Sequence, residues 1–162
     1  ESTNKSRENG DTILWNENYR LKWSDFKGKP DASSFMAQSN CLFTYRAETV
    51  VKQGILELHI IMNAGFERTS SWVKNNQQKD TLLAHEQLHF DICELNIRSL
   101  RKKLLSFNLD ILEYSSQVKT SFDLAWKDYQ DQQQRYDDET GHGIISDKQQ
   151  YWQTDIREKL ER

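Results

Sequence analysis

The stretch Asp80-Thr81-Leu82-Leu83-Ala84-His85-Glu86-Gln87-Leu88-His89-Phe90-Asp91-Ile92-Cys93 decides how this 162-residue chain is read. Leu82, His85, His89 and Cys93 recur at steps of three and four, and the same face continues through Ile97, Leu100 and Leu104. That period predicts an amphipathic helix from about Asp80 to Phe107. Lys102 and Lys103 lie near its end, where cations suit the helix dipole. Inside it, His85-Glu86-Gln87-Leu88-His89 spells HExxH. Positions i and i+4 stack one turn apart, so both imidazoles point the same way. Two such rings can share a tetrahedral Zn²⁺, each at roughly 2.0–2.1 Å. Glu86 is rotated about 100° from His85 by the helical step, which leaves it over the metal without binding it. That is the place of a general base acting on metal-activated water. The bland alternative is a pair of ordinary histidines. Because their face runs on into Cys93, Ile97 and Leu100, the rings are expected to point inward, and buried imidazoles need partners.

A catalytic zinc takes a third protein ligand and keeps one position open. The helix itself offers poor candidates. Asp91 points about 200° away from His89, and Glu94 about 140°. Cys93 shares the face but lies about 12 Å along the axis from His85. His59 falls on a predicted strand beside Glu57 and Ile61, on its solvent side. His142 sits between Gly141 and Gly143, where flanking glycines let the backbone bring an imidazole close to a metal. His142 is therefore the expected third ligand, with Asp138 and Glu139 as carboxylate alternatives. The competing reading of Gly-His-Gly is a helix C-cap carrying an exposed histidine.

Outward from this core, a second helix is expected from about Ser115 to Tyr136. Its stripe is Val118, Phe122, Ala125, Trp126, Tyr129, Gln133 and Tyr136, and the run Gln130-Asp131-Gln132-Gln133-Gln134 reads as solvated surface. Gly141-His142-Gly143 ends the pattern. A third helix starts near Ser146, where Ser146 and Gln149 have capping-box spacing, and carries Trp152, Ile156 and Leu160 on one face. On the N-terminal side the period drops to two. Tyr19, Leu21 and Trp23 suit a half-buried strand, and Gly28, Pro30 and Asp31 mark a turn. Phe43, Tyr45 and Ala47 alternate again. Lys52-Gln53-Gly54 reads as a hairpin turn, followed by Leu56, Leu58, Ile60 and Met62 on one strand face. The expectation is an α+β fold: a polar tail over residues 1–11, then one domain over 12–162, β-rich from 12 to 65 and α-rich from 70 to 162. A small antiparallel sheet is followed by three helices, with HExxH on the first long one.

Composition narrows the function. Apolar residues make up 36% and charged residues 29%, yet 5 Trp, 6 Tyr and 7 Phe are enough to build a core. A net charge of −3 gives no electrostatic reason to expect nucleic acid or an acidic membrane surface as partner. No apolar run is long enough to span a bilayer. Cys41 and Cys93 lack CxxC spacing. They read as small core residues that could form one disulfide in an exported protein. The chain begins at Glu1 rather than Met, consistent with a signal peptide removed beforehand.

Several separate blocks, in order, resemble one family. They are Leu21-Lys22-Trp23-Ser24-Asp25-Phe26-Lys27-Gly28, Ser71-Trp72-Val73, Leu82 to Ile92 around HExxH, and Tyr136-Asp137-Asp138-Glu139-Thr140-Gly141-His142-Gly143, followed by Gln150 and Trp152. The chain resembles the bacterial DUF922 family, described as predicted secreted zinc-dependent proteases. The family's HExxH falls on His85, Glu86 and His89. Its later block falls on Tyr136 to Gly143, which supports His142 as a ligand. The resemblance implies a secreted or periplasmic location.

The expected function is that of a zincin-like zinc metallopeptidase acting on a peptide or protein substrate. Zn²⁺ is held by His85, His89 and His142, and Glu86 assists attack of zinc-bound water on the peptide bond. An edge strand within residues 54–65 is expected to pair with an extended substrate. Tyr136 either donates to the oxyanion of the tetrahedral intermediate or is simply the last aromatic of its stripe. Asp91 either supports an imidazole N–H or caps a loop. Three rival readings remain at this level: a zinc amidase of cell-wall or small-molecule substrates, a zinc-bearing binding domain without catalysis, and a metal-free interaction module.

Overall fold

The computed structural model describes residues 11–108 and 112–162. The expected polar tail lies outside the described residues except for Asp11, whose carbonyl already accepts the Arg68 N–H at 2.8 Å. The fold is α+β, with two small antiparallel sheets followed by three helices. β1 (Thr12–Leu14), β3 (Cys41–Lys52) and β4 (Ile55–Glu67) form one sheet in the order β1-β4-β3, and β2 (Ala37–Gln38) pairs with β5 (Trp72–Val73) in the other. The helices are α1 (Asp80–Leu105), α2 (Tyr114–Thr140) and α3 (Ser146–Leu160). No helix among the described residues is long and apolar enough to cross a membrane.

The β3–β4 hairpin follows from its turn. Lys52 pairs with Ile55, so Gln53-Gly54 is a two-residue loop, and both have positive φ, 51° and 79°. That geometry matches the right-handed twist of the flanking strands. The arm is unevenly buried. Met62, Ala64, Phe66 and Cys41 at its base enter the core, whereas Val51, Ile55 and Ile61 stay exposed. The base of this sheet covers one side of α1. α2 and α3 cover others, so α1 buries more than one stripe: Leu88, Ile92 and Ile97, but also Phe90, Asp91 and Glu94. The buried Glu94 carboxylate is satisfied by Arg98 at 3.0 Å and Arg101 at 3.4 Å. Cys41 and Cys93 are buried free thiols, and burial pushes both well up from their ordinary pKa.

Several expectations need correcting. Tyr19, Leu21 and Trp23 alternate in an extended segment that is not a strand, and Trp23–Asp25 forms a short 3₁₀ turn. The segment lies against α1, and side chains take two of its backbone donors. The Leu21 N–H goes to Gln87 Oε1 at 2.8 Å and the Lys22 N–H to Asp25 Oδ2 at 2.9 Å. Period two there reports an extended chain on a helix surface, not a ladder. The second helix runs four residues past Tyr136. Ser146 is the first residue of α3 and not its cap; Ile145 holds the cap position, with no side-chain cap. The glutamine-rich run is not wholly solvated, because Gln132 accepts from Asn96 at 2.8 Å and Gln133 grips His89.

Candidate metal centre

α1 crosses the C-terminal end of α2, and the segment 34–41, which includes β2, runs along their junction. Together they enclose a cleft of about 680 Å³. His85 and His89, one turn apart on α1, turn their rings into it, 4.7 Å apart and nearly perpendicular. Their Nε2 atoms are 3.2 Å from each other. Each is also 3.1 Å from Asp137 Oδ1. His142 Nδ1 approaches the same oxygen at 3.4 Å, and the ligand atoms of His85, Asp137 and His142 lie within 4.8 Å of one another.

The remaining ring nitrogens explain the orientation. His85 Nδ1 faces Gln149 Oε1 at 3.1 Å. His89 Nδ1 faces Gln133 Oε1, and the same amide donates from Nε2 to the His89 carbonyl at 2.9 Å, which fixes which way it points. An amide oxygen opposite Nδ1 selects the Nδ1–H tautomer, leaving the Nε2 lone pair to face inward. Two imidazole lone pairs and a carboxylate therefore converge at about 3.1–3.2 Å. Only a cation relieves that arrangement, whether a proton or a metal. A tetrahedral ion with bonds of about 2.0–2.1 Å separates its ligands by roughly 3.3–3.4 Å. The donors present thus fit Zn²⁺ in type and in spacing.

The charges respond to one another. Burial alone would lower the pKa of His89. The hydrogen bond to Asp137 and the nearby charge of Glu86 outweigh it and raise the value to about 9. Burial likewise works to raise Asp137, but the bonds from His85 and His89 hold it well below the usual carboxylate range. Glu86 is buried and lines the same cleft, its Oε2 accepting from Ser39 Oγ at 2.7 Å. Ser39 follows β2, so the short strand orients the carboxylate that HExxH supplies.

Tyr136 is close but turned away. Its ring stacks on His85 at 4.6 Å, and its hydroxyl lies 2.8 Å from Gln149 Oε1 and 3.2 Å from the His85 carbonyl. Burial pushes its pKa well up. In this conformation the hydroxyl positions Gln149 and is not aimed at a substrate oxygen. Of the carboxylate alternatives, Asp138 accepts from Gln134 on the exposed side and Glu139 accepts from Trp152 Nε1 at 2.8 Å. Asp91 supports no imidazole; it anchors the N-terminal segment through Trp15 Nε1 at 2.8 Å and Arg20 at 3.0 Å. His59 is exposed and 3.3 Å from Glu57, as its strand position suggested.

The turn after α2 makes the approach of His142 possible. Gly141, His142 and Gly143 all have positive φ, 56°, 54° and 83°. Gly143 presses directly on His85. A Cβ there would sit 2.9 Å from His85 Cβ and 3.0 Å from Cγ. Asp137, Gln133 and Gln149 were missed as site residues. Asp137 was detectable in principle, because it lies four residues after Gln133 and beside Tyr136, on the face that meets α1.

A sequence profile of bacterial proteins of unknown function, DUF922, matches residues 27–143. The chain belongs to this family. The match takes in the HExxH helix and ends with Gly143, so the family region includes His85, Glu86, His89, Asp137 and His142. The Leu21–Phe26 segment and α3, with Gln149, lie beyond it. No curated protein and no solved structure matches the chain.

Proposed function

We propose that the protein is a zinc-dependent hydrolase of peptide bonds. The observation that carries this reading is the convergence of His85 Nε2, His89 Nε2 and Asp137 Oδ1 within 3.2 Å of one another, with both Nδ1 atoms held by glutamine oxygens. His85 and His89 would hold the ion, with a third donor from the Asp137–His142 pair. Bound zinc would supply Lewis-acid polarisation of a carbonyl and acidify a water.

The chain's own groups do the rest. Glu86, oriented by Ser39, is the base that takes a proton from the attacking water and returns it to the leaving amine. β2 has β5 on one edge only and runs along the cleft, so an extended peptide can lie beside it. This replaces the earlier expectation for residues 54–65: β1 covers β4 only at Gly65–Glu67, but no residue of β4 lines the cleft. Exposed Phe35 and Met36 offer apolar contacts along the same wall. Action outside the cytoplasm belongs to the same proposal and is supported by the family resemblance; fractionation of cells that express the complete gene product tests it.

The direct test pairs metal analysis with turnover. His85→Ala is expected to lose bound zinc. Glu86→Gln is expected to keep zinc and to lose cleavage of a peptide library by about 100-fold or more. Hydrolysis of cell-wall amides but not of peptides would reassign the substrate. Full activity in Glu86→Gln would refute the base.

A further inference from the structure

The two donors at the end of α2 differ in a way that separates their roles. Asp137 belongs to the last turn of a 27-residue helix, and its carbonyl accepts the backbone N–H of Gly141 and, at 3.0 Å, that of His142. Its side chain is 24% exposed, against 2% for His85 and 12% for His89. Its Oδ1 is at ligand spacing from both Nε2 atoms. His142 lies past the helix cap in the three-residue positive-φ turn, and its side chain is 46% exposed. Its Nδ1 is 3.4 Å from Asp137 Oδ1, and its ligand atom lies within 4.8 Å of that of His85. Its ring rests on Phe35, 4.7 Å away, and Phe35 is itself exposed on the cleft wall.

A ligand on a rigid, packed helix is pre-organised, whereas one on an exposed turn must be ordered when it binds. We propose that His85, His89 and Asp137 form the resident metal-binding face, and that His142 is an exchangeable fourth donor that must leave the ion before an exogenous ligand can reach it. This rests on the metal-binding reading above and adds regulation to it. A site with all four protein donors engaged is closed, as structural zinc sites are; one with three is open, as catalytic sites are. The contact with Phe35 provides the coupling. A chain entering beside β2 meets Phe35 first, and displacing that ring removes what His142 leans on.

Cobalt(II) is the probe, because its visible bands report coordination number, with azide as the small exogenous ligand. Both are titrated into wild type, Asp137→Asn, His142→Ala and Phe35→Ala, each checked for folding by circular dichroism. Asp137→Asn should bind cobalt at least about 100-fold more weakly than wild type. His142→Ala should keep one cobalt per chain, with affinity within about tenfold. Azide should perturb its bands at concentrations that leave wild type unchanged, and Phe35→Ala should fall between the two. If His142→Ala loses cobalt while Asp137→Asn keeps it, the assignment is reversed and the proposal fails. It fails equally if azide acts on wild type and His142→Ala alike. If wild type takes up neither cobalt nor zinc, the metal reading itself falls, which is a distinct result. Should Asp137→Asn not fold, the wild type and His142→Ala comparison decides alone.

Discussion

Beside His85 there is room at position 143 for a hydrogen but not for a methyl. The backbone there has φ 83°, and an added methyl would sit 2.9 Å from His85 Cβ and 3.0–3.2 Å from its ring. Gly143→Ala should therefore cost roughly 1–3 kcal/mol in stability and lower zinc affinity as well, measurable by urea unfolding and metal competition. The Asp137–His89 contact makes a second prediction, for protein stripped of metal. The pKa of His89 is raised from 6.5 to about 9, so its contribution to stability is complete below pH 6.5 and is lost as pH rises through about 9. Asp137 is depressed from 3.8, so its contribution is complete above that value and is lost as pH falls through the lower one. Stability from this pair is therefore greatest between about pH 4 and 6.5. From pH 6.5 to 9.5 it should fall by on the order of 3 kcal/mol, and His89→Gln should flatten that fall. Urea midpoints across the range check both. Zinc binding near pH 7 should then release about one proton, visible as a buffer-dependent heat.

At the scale of elements, α3 contributes through Gln149, which receives both His85 Nδ1–H and the Tyr136 hydroxyl. Gln149→Ala should weaken zinc binding by about 10–100-fold while leaving the fold intact, as competition with a chelator would show. The hairpin arm should behave oppositely. Gly54 has φ 79° and meets nothing within 4 Å, so Gly54→Ala strains the turn by roughly 1–2 kcal/mol without touching the cleft. Zinc affinity in that variant should match wild type. Helical periodicity was readable for α1 because 26 residues repeat it without interruption. The end of α2 was not readable, because Asp137-Asp138-Glu139-Thr140 carries no apolar residue to mark the period. Reading those residues as loop left Asp138 and Glu139 as the carboxylate candidates and passed over Asp137. In the helix, successive steps of about 100° turn them away from α1.

For the whole molecule, the cleft exists because a helix, a helix end and a strand edge meet there from three distant parts of the chain. Ser39 and Glu86 are 47 residues apart, and His85 and Gln149 are 64 apart. The base of the sheet, α2 and α3 press on different sides of α1, which is why a helix with a modest apolar stripe buries Glu86, Asp91 and Glu94 as well. Each of the three has a named partner: Ser39 for Glu86, Trp15 for Asp91, Arg98 for Glu94. Such burial is tolerated only when those partners are present.

By itself the sequence determined the helix that carries HExxH, a hairpin turn at Lys52-Gln53-Gly54, the break at Gly141-His142-Gly143 and the α+β order of elements. All of these are encoded in local spacing, which a linear reading can follow. Tertiary structure alone decided that Asp137 joins the imidazoles, that glutamines from α2 and α3 set their tautomers, and that the Tyr136 hydroxyl faces inward. Those outcomes depend on how helices cross, and a crossing angle leaves no periodic trace along the chain.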